Sequence, residues 1–397
     1  MQLHQGIPLF VLAQGSQPII KLTLLFESGT WHEPQSGVAY FTAKMLQEGT
    51  TKKTAQEIAA YIDHYGAEFA ISIKPDYCII ELVTLTKHFH AMLGLLAELL
   101  VDPSFPIAQL RLLKNLKTQA IKVENQRKSY IASKQFKAAL LGKQHPYGRS
   151  LTAADIGAIT QAQLKQYYEQ QLLAGCKVFL SGQVTDQHIK DVQQHLQGIA
   201  NKQPIANSYP LSIQDPAKVY IPKANSSQCA IHIGKVYFTK DHPDYLPMRF
   251  VSKLLGGYFG SRLMRNIREE KGYTYGIQAG IIPLKQASYF LISTEAIQAF
   301  AAQTCEEIYH EIKTLQTQAV PQEELQQVKN YLLGTFLATV NDPFAIMDRF
   351  QEAYLYGLGQ DFYQQWYHTI AQITPLQIQA LAHQYLSLDS LSEIRVG

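Results

Sequence analysis

The sequence predicts an α+β protein of two similar, duplicated domains, each a mainly antiparallel sheet packed with helices. An internal repeat, the same order of strand-like and helix-like segments in both halves, and a stretch of linker composition between them carry the prediction. DIGAITQAQLKQYY from Asp155 resembles TIAQITPLQIQALA from Thr369, with Ile156, Ile159, Thr160 and Leu164 matching Ile370, Ile373, Thr374 and Ile378 at a constant offset of 214, which is 370 minus 156. Each copy runs on to a strand-like end, CKVFLSG from Cys176 and LSEIRVG from Leu391.

In the first half, Met1 to Val11 reads as a strand start with a turn at Gln5-Gly6, and IIKLTLLFES follows as a strand. SGVAYFTAKMLQEGT reads as a helix with Ser36 as N-cap and Gly49 as its stop. EFAISI and CIIELVTL are strands by their β-branched content. KHFHAMLGLLAELL has the apolar period of a buried helix, and a helix rich in Leu, Gln and Lys follows it. The second half repeats the plan with the strands CAIHIGKVYF, GIQAGII and SYFLIST and the helix AFAAQTCEEIYHEIKTL. Between them GIANKQPIANSYPLSIQDPAK concentrates Pro, Asn, Ser and Gly. The predicted division is therefore 1–200, a linker at 201–218, and 219–397.

The chain has 397 residues, 46% hydrophobic and 17% charged, enough for two cores. Its formal charge of +3 is spread thinly, which gives no case for nucleic acid or an anionic membrane. No apolar run reaches the roughly 18 residues of a membrane span. Cys78, Cys176, Cys229 and Cys305 show no CxxC spacing and read as buried free thiols, with a disulfide as the alternative.

The segment from Gly256 to Tyr275, GGYFGSRLMRNIREEKGYTY, carries the chemistry. Ser261 is placed to cap a short helix, Leu263 and Ile267 share a face, and Lys271-Gly272 ends it. Arg268 then lies near the helix end and Tyr275 near the start of the next strand, so a guanidinium and a phenol reach one space. Both donate hydrogen bonds and neither is a base at neutral pH, which suits a carbonyl oxygen or a developing oxyanion. The alternative is an arginine paired with a nearby carboxylate and a half-buried strand tyrosine.

This segment resembles the second-domain signature of the M16 (pitrilysin, mitochondrial processing peptidase) family of zinc metallopeptidases. The resemblance implies that Arg268 and Tyr275 contact substrate beside the scissile bond, with Gly256, Gly257, Phe259 and Ser261 lining the peptide. It also implies two similar α+β domains flanking a linker, and substrate added as a strand at a sheet edge. In catalytic members HxxEH on a first-domain helix binds zinc and supplies the general base, and a Glu on a later helix completes the ligand set. Here those positions fall on Tyr40, Ala43 and Lys44, none of which reproduces that chemistry, and no HxxEH occurs in the chain. Alanine is no base, and an ammonium opposes a dication.

Lys44 and Glu48 are expected to form a surface ion pair, and Glu124, the sole acid between Leu112 and Gln126, to be solvated. His88 with His90, and Glu307 with His310, are weak metal pairs, while His145 in HPYGRS belongs to a structural turn. No metal or other cofactor is thus expected in this chain.

Some bacterial members of the family act as pairs, one subunit with zinc and HxxEH and the other with the Arg and Tyr. The resemblance implies that this chain is the second kind, active only with a zinc-bearing M16 partner, or self-paired without one, and acting on an unstructured peptide. Two other classes stay open: a structural subunit related to respiratory core proteins, and a peptide-binding module that cuts nothing. The resemblance points to the periplasm, through a leader outside this numbering, with the cytoplasm as the alternative.

Overall fold

The computed structural model describes residues 1–211, 214–338, 340–359 and 361–397, so Ser212 and Ile213 of the predicted linker lie outside the described residues. Five strands of the first half, β1 (Leu9–Ala13), β2 (Ile19–Phe26), β3 (Glu68–Ile73), β4 (Cys78–Leu85) and β5 (Lys177–Gly182), form one sheet. Five of the second half, β6 (Lys218–Ile221), β7 (Gln228–Tyr237), β8 (Thr274–Pro283), β9 (Ser288–Ile297) and β10 (Ser392–Val396), form another. The orders are β1-β5-β2-β4-β3 and β6-β10-β7-β9-β8, so adding five to each number of the first gives the second. The repeat in the sequence is a repeat of topology. Each sheet has one parallel pair, β1 with β5 and β6 with β10, and is otherwise antiparallel.

Side-chain alternation explains which face of each sheet is covered. In β7, Cys229, Ile231 and Ile233 are fully buried in a core with helices Tyr245–Gly256, Ala301–Thr317 and Pro375–Tyr385. In β2, Ile20, Leu22 and Leu24 enter the corresponding core with helices Val38–Met45 and Phe89–Val101. Both copies of the repeat start a helix in the same way. Thr160 and Thr374 cap by accepting from the N–H groups of Gln163 and Gln377, whose side chains bond back.

The two compact units do not follow the contiguous halves that the sequence suggests. One comprises Met1–Lys122, Ser150–Tyr209 and Val340–Gln351; the other comprises Val123–Arg149, Pro210–Thr339 and Glu352–Gly397. Helix Lys128–Leu141, from the first half of the chain, packs on β7 and β10, with Phe136 5.9 Å from the His232 ring and 6.1 Å from that of Tyr289. In exchange, Phe350 lies 4.9 Å from Phe10 and 6.3 Å from Phe179 of the first sheet, and Asp348 accepts from Lys21 at 2.8 Å. An amphipathic pattern says that a helix covers a sheet, not which of two equivalent sheets it covers. All four cysteines are buried and free. No helix among the described residues is long and apolar enough to cross a membrane.

Candidate functional site

In the second unit, helix Tyr245–Gly256 runs into β8 at a glycine for a steric reason. A Cβ on Gly256 would stand 2.7 Å from the Ala279 Cβ and 2.8 Å from its nitrogen, and one on Gly257 would meet the Lys253 Cα at 2.6 Å. Gly256 and Ser261 are buried, Gly257 is half-buried, and Phe259 is 62% exposed. Ser261 does not cap with its side chain: its carbonyl accepts from Arg265 N at 2.9 Å, and its buried Oγ has no hydrogen-bond partner among the described residues. The helix that follows widens to π geometry over Met264–Glu270, closed by Lys271 N donating to Asn266 O, five residues back, at 3.1 Å. Gly272, at φ +65°, ends it as the sequence predicts.

Polar side chains pin this turn to the neighbouring helices. Asn266 Nδ2 donates to Glu307 at 3.0 Å and to Glu311 at 2.7 Å, and Lys271 meets Glu307 at 2.5 Å. The Lys271 ammonium holds the Glu307 carboxyl below its ordinary pKa. Arg262 forks onto Glu324 with two bonds of 2.8 Å. Sequence reading missed these supports because charged residues on helices Ala301–Thr317 and Gln322–Ala338 look like a solvated face. Glu307 thus supports the turn through Asn266 and Lys271.

The start of β8 is bulged. The register with β9 shifts between Thr274 and Ile277, leaving Tyr275 and Gly276 outside the ladder. The buried Thr274 hydroxyl fixes the bulge: it lies 2.8 Å from Thr294 Oγ1, 2.9 Å from Glu295 O and 3.0 Å from Gly276 O, and accepts Gly276 N–H at 3.1 Å. The consequence is that Tyr275 is 90% exposed. Arg268 reaches the same place, donating from Nε to the Tyr275 carbonyl at 3.1 Å, with its guanidinium 4.6 Å from the Phe259 ring centroid. Its Nη1 stands 3.9 Å from Glu269, a loose pair on a half-exposed side chain. Gln228, Glu295 and Ile297 join Arg268, Glu269 and Tyr275 around an open cavity of about 580 Å³. The structure thus brings Arg268, Tyr275 and Phe259 together and leaves Gly256 and Ser261 behind them as packing.

The first unit has no comparable group at the positions of the zinc motif. Helix Val38–Met45 is capped not by Ser36 but by Glu33, whose Oε2 accepts from Gly37 N and Ala39 N at 3.0 Å each. Ala43 is fully buried, and the half-buried Tyr40 lies under Lys117 Nζ, 4.9 Å from its ring centroid. Lys44 is half-buried and donates to Ile71 O at 2.6 Å instead of pairing with Glu48. Burial lowers its pKa, since no carboxylate compensates the charge. A buried methyl and an ammonium bound to a carbonyl do not fit a divalent cation. Glu124 is half-buried and hydrogen-bonds Tyr130, whose pKa it helps to raise after the larger effect of burial. His90 Nδ1 approaches Asp191 at 3.4 Å, while His88 packs edge-on against Tyr65 at 5.0 Å. His145 Nδ1 accepts from Tyr147 N at 3.2 Å within its turn. Among the described residues no group of three or more His, Cys, Asp or Glu is placed to hold a metal ion.

A duplicated α+β chain with an Arg–Tyr pair on a bulged strand, and a lysine where a metal ligand would stand, has the architecture of a metallopeptidase scaffold without its metal site. The chain belongs to the M16 peptidase family. Residues 10–154 match the profile described as "Insulinase (Peptidase family M16)" and residues 158–332 the one described as "Peptidase M16 inactive domain". It is 22% identical over 330 residues to "Uncharacterized zinc protease YmxG" of Bacillus subtilis, covering 81% of this chain and 79% of the relative. It is 25% identical over 315 residues to "Non-peptidase homolog YmxG" of Helicobacter pylori, covering 76% and 70%. In fold it is similar to the crystal structure of a peptidase M16 inactive domain from Pseudomonas fluorescens, with TM-score 0.92, 23% identity, and 100% and 97% of the two chains covered.

Proposed function

We propose that this chain is the non-catalytic subunit of a two-chain zinc endopeptidase, holding an unstructured peptide while a partner bearing HxxEH supplies zinc and general base. The observation that carries the reading is the bulge that turns Tyr275 to solvent beside an Arg268 whose hydrogen bond to the strand uses Nε, with Nη1 only loosely paired to Glu269. A tyrosine kept for packing buries its ring, and this one does not. As water adds to a peptide carbonyl, its oxygen gains negative charge. The Tyr275 hydroxyl and the outer nitrogens of Arg268 are donors held ready for that oxygen, so they act where charge develops and need little reorganisation. Phe259 covers the peptide next to Arg268, and Gly256, Gly257 and Ser261 set the path of the loop.

Peptidase activity on unstructured peptides, with zinc content measured in parallel, tests the reading on the chain alone and mixed with an HxxEH-bearing relative. The expected result is cleavage in the mixture only, with zinc in the partner. Peptide bound but uncut in both would move the function to peptide holding without proteolysis.

A further inference from the structure

Helix Ile107–Glu124 is anchored in the first unit through Leu110 and Ile121, each 5% exposed. Its opposite face has an unusual make-up. Leu112 and Leu116 are 52% and 58% exposed and lie one turn apart at i and i+4. The exposed Arg111 and Lys122 lie along one side of the line these two define, and the one carboxylate in the helix is its last residue, Glu124. Surface helices ordinarily alternate signs so that i,i+4 pairs form, worth a few tenths of a kcal/mol each. Here, among the described residues, no carboxylate pairs with Arg111 or Lys122. Lys114, by contrast, is consumed by the structure, donating to Gly157 O and Ile159 O at 2.9 Å each. Lys117 extends over the Tyr40 ring, one helical turn from the uncompensated Lys44.

We propose that this face docks an unstructured peptide segment in which acidic residues flank apolar ones. The exposed leucines give apolar area, and the unpaired cations complement carboxylates. The proposal rests on the reading that the chain holds peptide, and names the class of peptide.

The experiment is anisotropy of the full chain with three fluorescein-labelled unstructured peptides, identical except for Glu, Gln or Lys at their polar positions. The Glu peptide should bind about tenfold more tightly than the other two, the sum of a few exposed pairs, and should lose that advantage in high salt. Arg111→Gln with Lys122→Gln should erase the preference and leave Gln-peptide binding intact. Leu112→Gln with Leu116→Gln, solvent-facing changes that keep helix propensity, should weaken all three. Equal binding of the three peptides, or an unchanged preference in the charge variant, overturns this proposal alone. Binding of none of them overturns it together with the peptide-holding reading. Tighter binding to phosphatidylglycerol vesicles, lost in the same variants, assigns the face to a membrane surface and overturns it as well.

Discussion

β3 and β8 are the same strand in two copies of one sheet, each at a free edge and each with a cation from a nearby helix bound to one of its carbonyls. Across the β3 hairpin Lys74 N donates to Tyr77 O at 2.8 Å, so by antiparallel alternation the Ile71 backbone points away from β4 toward the open edge. Lys44 occupies that outward carbonyl. In β8 Arg268 takes the carbonyl of the bulged Tyr275 with Nε, while of its outer nitrogens Nη1 is only loosely paired to Glu269 at 3.9 Å. The difference is chemical: a lysine has a single nitrogen, here half-buried and committed, whereas a guanidinium can be anchored and still present donors. One edge carbonyl is capped by a lysine, and the other is held by a guanidinium that still presents donors, the contrast on which the proposed substrate-positioning role rests.

The sheets differ at a second matched position. β5 Phe179 pairs with Thr23, and Ile394, its counterpart when the strand ends from Cys176 and Leu391 are aligned, pairs with His232. Burial pushes the His232 imidazole down to about 4, partly offset by Glu295. The unfolded chain therefore binds a proton between about pH 6.5 and 4 that the native state refuses, so stability is full above pH 6.5 and falls as pH drops toward 4. The loss is about 3 kcal/mol. Urea unfolding should show it, and His232→Leu, which removes the imidazole and keeps the site apolar, should remove most of it. The residue belongs to His188 and His195, which burial shifts the same way. An unchanged pH profile in the variant would place the acid-sensitive group elsewhere.

Next in size is Thr274→Val, which strips the bulge of its buried hydroxyl. A stability loss of about 2 kcal/mol is expected, with reduced turnover in the reconstituted pair as Tyr275 loses its position. Gly272→Ala should cost about 1 kcal/mol in chemical denaturation, from backbone strain alone, since nothing lies within 4 Å of the added methyl. Smallest is Lys44→Met. It removes one hydrogen bond and also a poorly solvated charge, so the net change should stay within about 0.5 kcal/mol. A loss above about 2 kcal/mol would make Lys44 a keystone of the first unit rather than a cap on its edge.

The contrast between the edges was half legible in the sequence. Strand and helix periods, the repeat at offset 214 and the stop at Gly272 each rest on local chemistry, and the structure places them accordingly. The Arg268–Tyr275 approach follows from a short helix, a turn and a strand start. The bulge does not, because Thr274 looks like any strand threonine until Thr294 and Glu295 are brought against it. Ser36 and Ser261 looked like caps, yet Glu33 captures the first helix end through a side chain arriving from outside the helix, and the second is closed by the Ser261 carbonyl. Lys44 looked like half of an i,i+4 pair, but the edge carbonyl of Ile71, 27 residues away, takes its ammonium. The exchanged helices were illegible for the same reason: their partners are set by chain path, which side-chain pattern does not encode.

The central claim is that the β8 edge acts in catalysis and the β3 edge does not. Turnover of the chain reconstituted with a zinc-bearing partner, compared for wild type, Arg268→Ala, Tyr275→Phe and Lys44→Met, tests it most directly. The account predicts kcat falling by about 10²-fold or more for the first two substitutions, as for loss of an oxyanion donor, and little change for the third. Full turnover in both Arg268→Ala and Tyr275→Phe, with folding intact, would contradict it.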